Sequence, residues 1–445
     1  LMRRGIPAKT RHNEVSPNQF EIAPIFEEAN LSIDHNLQLM DQIKNIADRH
    51  DMVCVLHEKP LAGVNGSGKH LNWSIGDNTG SNYIEPSKSP LKNISFLMTV
   101  GALMIGVDKF GGILRAMVAD AGNDHRLGAN EAPPAIISIY LGEYLNSLLD
   151  QIQGIGKLTE QKMAHINLGV QNLPKVAKDI SDRNRTSPLA FTGNKFEFRG
   201  VGSTHNCAEP AMLMNLMVAY GYDKLNDMLS KRKGKVREEA ILVLRDVLKK
   251  VRRVQFDGDN YTQEWRDEAE KRGLPNDTNT PSAWERVVDD EAVALFEKYK
   301  ILTREEVHAK AEIKMEAYVN VKDIELKTAV NMCRTLFMPA LAGHIDDLAS
   351  YAANLGAAGV GSKSMEEDLR AAEKLYTQIR DGAAELEKIS EVCEEEEDLF
   401  RRAHLYADKG EKTLNALREK VDAAEQIVAD DLWPVAGYRD LLSIL

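Results

Sequence analysis

The sequence predicts an α+β protein in which a β-sheet flanked by helices is followed by a mainly helical C-terminal region. Short segments before residue 205 alternate apolar and polar residues, as half-buried strands do. Helix-like apolar spacing separates these segments, and long apolar stripes among Glu and Lys residues fill the last third of the chain. The 445 residues are enough for more than one domain with a hydrophobic core.

The predicted strands lie in the first half of the chain and have a side-chain period of two. They cover residues 20–26, 52–56, 69–75 and 196–199. The helical patterns between them cover residues 91–107 and 134–152.

The chain changes character near residue 208. Residues 212–220 and 224–254 have helical patterns, and residues 258–282 are rich in Gly, Pro and Asn turn signals. The remainder is almost wholly helical, and the stripes at 365–400 and 409–430 are typical of packed helix hairpins. The predicted domains are residues 1–225, 226–330 and 331–445.

Composition excludes several classes of function. A net charge of −12 argues against general nucleic-acid binding, and we expect no run of apolar residues long enough to span a membrane. The four cysteines lie far apart, which favours reduced thiols in a cytoplasmic protein. The start at Leu1 has no signal-peptide pattern, and we expect that an N-terminal part of the natural protein precedes it.

The first segment with reactive side chains runs from residue 11 to residue 21. Glu14 and Glu21 bracket a Pro17-Asn18 turn, so both carboxylates can point into one cavity. Hard divalent cations prefer such oxygen ligands. Taken alone, however, the segment favours two exposed glutamates that flank a turn.

Residues 65–74 combine a glycine-rich entry with a strand. Glycine lets the backbone turn tightly or approach a ligand closely. In the strand, His70, Asn72 and Ser74 share one face. Such a polar face is costly to bury unless it lines a wet site, although a histidine satisfied inside the core is an equally good interpretation.

Residues 123–134 form a polar loop between two apolar helical segments. Arg126 suits bidentate recognition of a carboxylate, and Glu131 precedes a proline pair that would stiffen a flap. An ordinary helix connection with a cap explains the pattern equally well.

A cationic set surrounds one carboxylate in the last of these segments. Arg185 leads into a predicted hairpin in which Lys195, Glu197 and Arg199 share the polar face. Cations beside metal-type carboxylates are what phosphoryl transfer requires, because charge on the moving phosphoryl group must be neutralised. Surface hairpins also alternate charges, so the segment alone is weak evidence.

Together and in this order, the segments resemble the catalytic motifs of glutamine synthetase. The matching motifs are Asn13-Glu14-Val15, Gln19-Phe20-Glu21, Asn65-Gly66-Ser67-Gly68-Lys69-His70, Arg126 with Glu131, Asn184-Arg185 and Phe196-Glu197-Phe198-Arg199. Residues 125–134 look specifically like the type III branch. The motifs cover residues 1 to about 215, and the helical tail that ends in Leu432-Trp433-Pro434 fits that branch more loosely.

The resemblance implies a fold and an activity. The sheet would be a curved antiparallel half-barrel, with residues 1–225 as the C-terminal part of the catalytic domain. The activity would be ATP-dependent ligation of ammonia to glutamate through a γ-glutamyl phosphate intermediate, in nitrogen assimilation. The partners would be glutamate, ammonium and ATP, and other copies of the chain in two stacked hexameric rings (a dodecamer), with no nucleic acid and no membrane.

The resemblance also implies a metal site with two or three Mg²⁺ or Mn²⁺ ions. Glu14 and Glu21 would bind the ion nearer to glutamate. His70 and Glu197 would bind the ion nearer to the ATP phosphates.

The remaining roles implied by the resemblance concern substrates. Asn65 and Gly66 would contact glutamate, Arg126 would bind its carboxylate and Arg199 its side-chain carboxylate. Glu131 would close a flap and help with the ammonium proton. Arg185 and Lys195 would steady the transferring phosphate, and Ser74 would lie against the nucleotide.

Three departures from the family pattern affect these expectations, and the first is that Ala190 stands near the place where many relatives have a further arginine after the Asn-Arg pair. Asn72 stands where many relatives have a second histidine. The family's first Glu-x-Glu strand and its small N-terminal domain are absent from these residues, so we expect the isolated chain to be inactive or nearly so. The competing hypotheses are a ligase that joins glutamate to a larger amine, and a non-catalytic oligomeric scaffold that retains the fold.

Overall fold

The computed structural model describes most of the chain, in two compact units. The described residues are 1–16, 18–57, 64–66, 68–87, 89–128, 132, 134–155, 165–166, 176–177, 184–437 and 440. The first unit lies within residues 1–278 and 286–304, and the second within residues 279–285 and 305–445.

Strands occur in the first unit and are short. They are β1 (Ala8–Asn13), β2 (Phe20–Pro24), β3 (Lys69–Trp73), β4 (Ile139–Tyr140), β5 (His165–Ile166), β6 (Val176–Ala177), β7 (Leu189–Phe191) and β8 (Phe196–Val201). In the described part of the chain they form the hairpin β1–β2, the pair β5–β6 and a four-stranded sheet of order β3-β8-β7-β4.

The four-stranded sheet is mixed rather than purely antiparallel. Strand β8 pairs antiparallel with both β3 and β7, but β4 pairs parallel with β7. Residues between β4 and β7 include helix α4 (Gly142–Gln153), the kind of connection that a parallel pair needs. The structure therefore shows a helix-rich chain with a small mixed sheet.

Helices make up most of the described residues. Those before residue 300 are α1 (Ala29–Asp48), α2 (Ile94–Ala116), α3 (Ala121–Arg126), α4, α5 (Ala208–Leu229), α6 (Val236–Val251), α7 (Gln263–Lys271), α8 (Thr280–Glu285) and α9 (Asp290–Lys298). Those after it are α10 (Arg304–Met332), α11 (Met338–Ala357), α12 (Lys363–Glu395), α13 (Leu399–Leu405) and α14 (Glu411–Glu425).

Some of the sequence expectations are wrong in detail. Residues 52–56 form no strand, and Val53 is 88% exposed, because no strand among the described residues pairs with this apolar run. The predicted helix at 224–254 is interrupted between α5 and α6, where Gly234 lies in a run of basic residues. The segment 258–282, predicted as loop, contains helix α7.

Helix α2 is the central helix of the first unit. Asn93 caps it by accepting a hydrogen bond from the backbone N–H of Phe96 at 3.1 Å. Contrary to expectation, α2 is long and apolar enough to cross a membrane by length and composition alone. Because 78% of its most apolar window is buried inside the chain, the helix has the surroundings of a core helix.

Two glycines allow α2 and α5 to pack closely. A Cβ on Gly221 would lie 2.1 Å from the carbonyl oxygen of Ala102, and a Cβ on Gly106 would lie 2.6 Å from the Cβ of Met217. Such distances are far below van der Waals contact, so the two helix backbones meet where side chains are absent.

The second unit is a helical bundle built mainly from α10 to α14. Its interior includes Lys322, whose ammonium lies 2.9 Å from Glu325 and 2.7 Å from Glu411. Burial lowers the pKa of Lys322, but the charges of Glu411 and Glu325 outweigh that effect and raise the pKa above its usual value. The buried ammonium is thus charged and paired, which is the condition for keeping it inside a protein.

We predict that Gly221→Ala destabilises the first unit by about 3 kcal/mol, because the new methyl group overlaps the backbone of α2. Thermal and urea denaturation of the intact natural protein would measure the loss. Gly111→Ala is the matched control: it lies in α2, the helix against which Gly221 of α5 packs, and its Cβ would meet only ordinary contacts at 3.5 Å or more. Equal melting of the two variants would contradict the close helix crossing.

Candidate active site

The hairpin β1–β2 places three candidate metal ligands on one face. Its antiparallel register sets His12 opposite Glu21, and Glu14 follows His12 by two residues. The turn is closed by the backbone N–H of Glu14, which donates to the carbonyl of Gln19 at 2.9 Å. Asn18 adopts a positive φ of 56°, which asparagine tolerates better than most residues.

These three side chains lie within reach of one cation. His12 Nε2 lies 2.8 Å from Glu14 Oε1 and 2.8 Å from Glu21 Oε2, and one ligand atom from each residue lies within 4.8 Å of the other two. Carboxylate and imidazole ligands suit divalent cations such as Mn²⁺ and Mg²⁺. The donor set therefore fits a divalent cation.

The two carboxylates of the hairpin differ in acidity. Burial raises the pKa of Glu21, and a hydrogen bond with Glu14 and the charge of that carboxylate raise it further. Burial also acts to raise the pKa of Glu14, but hydrogen bonds with Glu21 and His12 outweigh it and leave the pKa below its usual value. Two carboxylates held this close repel each other when both are charged, and a bound cation would relieve that repulsion.

Strands β3 and β8 add two further candidate ligands, His70 and Glu197, beside those of the hairpin. Their register pairs Asn72 with Glu197. His70 lies two residues before Asn72, on the same face of β3, and so comes close to the Glu197 carboxylate. His70 Nδ1 lies 3.7 Å from Glu197 Oε1 and 3.9 Å from Glu21 Oε1. His70 therefore links the sheet to the hairpin, and the four predicted metal ligands Glu14, Glu21, His70 and Glu197 lie in one cluster.

Arg199 extends this cluster with a positive charge. Its Nη1 lies 3.4 Å from Glu197 Oε1, and both residues are only 6% exposed. Within the described residues, Nε of Arg199 has no hydrogen-bond partner. A buried guanidinium with spare donor capacity beside a metal-type carboxylate can bind a substrate carboxylate or phosphate.

Arg126 is bonded to the backbone of β8. It is 2% exposed at the end of α3, and its Nη2 donates to the carbonyls of Arg199 at 3.4 Å and Val201 at 3.3 Å. Asn123, one turn earlier, donates to the carbonyl of Gly200 at 2.9 Å. Helix α3 therefore caps the end of the strand that bears Glu197 and Arg199.

The glycine-rich segment packs against both halves of the cluster. The hydroxyl of Ser16 donates to the carbonyl of Asn65 at 2.8 Å, and Gly66 is buried. A Cβ on Gly68 would lie 2.2 Å from the carbonyl oxygen of Val201, so only glycine allows this approach to β8.

The other predicted site residues lie at the ends of the same strands. Arg185 is exposed on the turn before β7, Lys195 is half-buried in the turn between β7 and β8, and Ser74 is exposed after β3. Glu131 lies outside the described residues.

Sequence reasoning did not select His12, which the structure places in direct contact with both hairpin glutamates. A signal was present, because His12 and Glu14 are two residues apart and so share a face of any strand. The pairing of β1 with β2, which brings Glu21 to the same face, was needed to interpret that signal.

Known proteins similar to this chain share one family name. Residues 1–114 match the family described as glutamine synthetase, catalytic domain, and residues 239–355 match the glutamine synthetase C-terminal domain. The type-3 glutamine synthetase of Dictyostelium discoideum is 39% identical over 451 residues, which cover 99% of this chain and 61% of that protein.

Two bacterial relatives with the same family name have similar identity to this chain. The glutamine synthetase of Bacteroides fragilis (strain YCH46) is 36% identical over 98% of this chain and 62% of its own length. That of Butyrivibrio fibrisolvens is 38% identical over 99% of this chain and 63% of its own length. The chain thus spans somewhat under two thirds of the length of these relatives.

A solved structure titled "GmaS/ADP complex-Conformation 1" aligns with 72% of this chain and 58% of that chain, at 17% identity and a TM-score of 0.45. A similarity of this size supports no conclusion about the site.

We predict that Glu21→Gln lowers the affinity of the intact natural protein for Mn²⁺ at least about tenfold, because a neutral amide replaces a charged ligand. Electron paramagnetic resonance of free Mn²⁺ would measure the change. Glu27→Gln is the matched control, since Glu27 pairs with His35 at 2.7 Å outside the cluster. Unchanged Mn²⁺ affinity in Glu21→Gln would show that the hairpin does not bind the ion.

Proposed function

This chain belongs to the glutamine synthetase family, and from that membership we propose that the natural protein ligates ammonia to glutamate with hydrolysis of ATP. One observation supports the proposal above all others. Glu14, Glu21, His70, Glu197 and Arg199 come from separate segments of the chain and converge on one cluster.

The first proposed step is transfer of the γ-phosphoryl group of ATP to the γ-carboxylate of glutamate. A carboxylate is a poor acyl donor, so it must first become an acyl phosphate, here γ-glutamyl phosphate. Divalent cations, when bound, would act as Lewis acids that stabilise the negative charge on the oxygen atoms involved in the phosphoryl transfer. Glu14 and Glu21 would hold the cation nearer to glutamate, with His12 as a further ligand, and His70 and Glu197 would hold the one nearer to the phosphates.

Cationic side chains would stabilise the charge that moves with the phosphoryl group. Arg199, buried against Glu197, would bind the side-chain carboxylate of glutamate. Arg185 and Lys195 would neutralise the transferring phosphate. Ser74 would contact the nucleotide.

Ammonia would then displace phosphate from the acyl carbon, after Glu131 has helped to remove the proton of ammonium. Asn65 and Gly66 would contact glutamate. Arg126 would bind its carboxylate, which requires that substrate reach a guanidinium that is 2% exposed in the structure.

Finer features belong to the same proposal. We propose Mg²⁺ or Mn²⁺ as the ions, a cytoplasmic location and a role in glutamine biosynthesis. The small mixed sheet would be part of the family's curved half-barrel.

The proposal also includes a homo-oligomer of two stacked hexameric rings. Exposed apolar side chains support an oligomer, since Phe26 is 93% exposed in the isolated chain and Val53 is 88% exposed.

We predict that Glu197→Ala lowers phosphate release from ATP by at least about 100-fold when glutamate and ammonium are present, because the change removes a ligand and leaves Arg199 without its carboxylate. A coupled phosphate assay on the intact natural protein would measure the rate. Glu270→Ala, an exposed position on α7, is the control and should retain the rate. Equal rates in the two variants would contradict the proposed site.

Acceptor choice tests the activity itself. We predict that ammonium supports product formation at a kcat/KM at least about 100-fold above that of methylamine, because an alkyl group adds bulk to a site that closes around ammonia. Mass spectrometry of the products would measure both reactions. A preference for the alkylamine would instead indicate a ligase for a larger amine.

A further inference from the structure

A turn outside the catalytic motifs contacts the segment that bears Arg185. This turn covers residues 255–260 and follows α6 in the first unit. It lies inside the range that matches the family's C-terminal domain, about 60 residues beyond the last catalytic motif. Its contacts connect the segment of Arg185 to strand β4, which follows the flap predicted at Glu131.

The backbone of the 255–260 turn is fixed against β4. Gln255 forms a parallel bridge with Ile139, and the N–H of Phe256 donates to the carbonyl of Ile139 at 3.0 Å. The ring of Phe256 stacks on the indole of Trp265 with ring centroids 3.8 Å apart. These contacts make the turn a rigid extension of the sheet.

Asn184 connects the turn to Arg185. Its Nδ2 donates to the carbonyls of Gly258 at 2.8 Å and Asp257 at 3.3 Å. Its Oδ1 accepts from the N–H of Thr186 at 3.0 Å and from the Thr186 hydroxyl at 2.7 Å. Arg185 therefore lies between two residues whose positions the 255–260 turn determines.

Asn260 completes the connection from inside the protein. It is 0% exposed, and its Oδ1 accepts from the Ser138 hydroxyl at 2.8 Å. Its backbone N–H donates to Thr186 Oγ1 at 3.0 Å, and its Nδ2 lies 3.4 Å from the same oxygen and 3.3 Å from the carbonyl of Gly258. Thr186 thus accepts from Asn260 and donates to Asn184.

The chemistry of this network indicates a purpose beyond packing. An apolar side chain would fill the interior at position 260 without hydrogen-bonding requirements, whereas a buried amide is costly unless its partners are in place. Asn260 bonds to two other segments, those of Ser138 and Thr186, so these two segments and the 255–260 turn are fixed relative to one another. One of these segments carries the exposed Arg185. Because an arginine side chain is long, its backbone must be fixed if the guanidinium is to reach a ligand reproducibly.

We propose that the 255–260 turn positions Arg185 for the ATP phosphates, with Asn260, Thr186 and Asn184 as positioning residues. The inference rests on the proposed function, because that function assigns the phosphate contact to Arg185. It adds a specific role for part of the C-terminal domain in phosphate handling.

Thr186→Val tests the proposal in the intact natural protein. Valine has the shape of threonine but lacks the hydroxyl that joins Asn260 to Asn184, so we expect ATP affinity to fall roughly tenfold to 100-fold. Isothermal titration with ATP in the presence of Mg²⁺ would measure it. Thr186→Ser retains the hydroxyl and should restore most of the affinity.

Binding of Mn²⁺ separates positioning from general damage. The cluster of Glu14, Glu21, His70 and Glu197 lies outside the network, so Thr186→Val should bind Mn²⁺ as the wild type does. Parallel loss of ATP and Mn²⁺ affinity would indicate a merely structural role and overturn the proposal, as would equal ATP affinity in the Val and Ser variants. If Thr186→Val does not fold, Asn184→Ala removes the amide at a half-buried position and is judged by the same measurements.

The proposed ligase activity is judged separately. A wild type that binds ATP and makes no glutamine would overturn the ligase proposal, while the Thr186 pair still decides the positioning role. A wild type that does not bind ATP would overturn both.

Discussion

The site depends on a carboxylate that the fold has buried. Glu197 is 6% exposed on β8, a strand whose residues are all buried. A carboxylate in such a place is unfavourable unless positive charge and hydrogen-bond donors surround it. Arg199 and His70 lie within 3.4 Å and 3.7 Å of it, and a cation between it and the hairpin carboxylates would complete the compensation. The arrangement is thus better suited to binding an ion than to stabilising the fold.

Other elements of the first unit hold strand β8 in position. Strand β3 pairs along one edge of β8 and brings His70, while Asn123 and Arg126 from α3 bond to the carbonyls at its end. The hairpin β1–β2 then reaches His70 through Glu21. The residues proposed for the site therefore also support the fold. Arg126 is the clearest example, since the substrate role proposed for it competes with its contacts to β8.

In our proposal, the network around Asn260 extends the site beyond its motifs. Residues that make phosphoryl transfer possible must be held to a fraction of an ångström, and side chains on exposed turns do not hold themselves. A buried amide with donors and acceptors on several segments supplies that constraint. The proposal thereby assigns part of the active-site framework to a region that is matched only as a C-terminal domain.

The resemblance of the sequence to a family proposed Glu14, Glu21, His70 and Glu197 as metal ligands, and the sequence by itself determined the residue types, their order and the local patterns, namely the helix-rich C-terminal half and the alternating strands at 69–75 and 196–199. These follow from periodicity and chemistry, which are local properties of a chain. Only the tertiary structure decided that β4 pairs parallel with β7, that residues 52–56 are not a strand, that His12 contacts both hairpin glutamates and that Asn260 joins two distant segments. Strand pairing and buried hydrogen bonds connect residues up to 162 positions apart, and no local pattern specifies which distant partner a strand or an amide will meet.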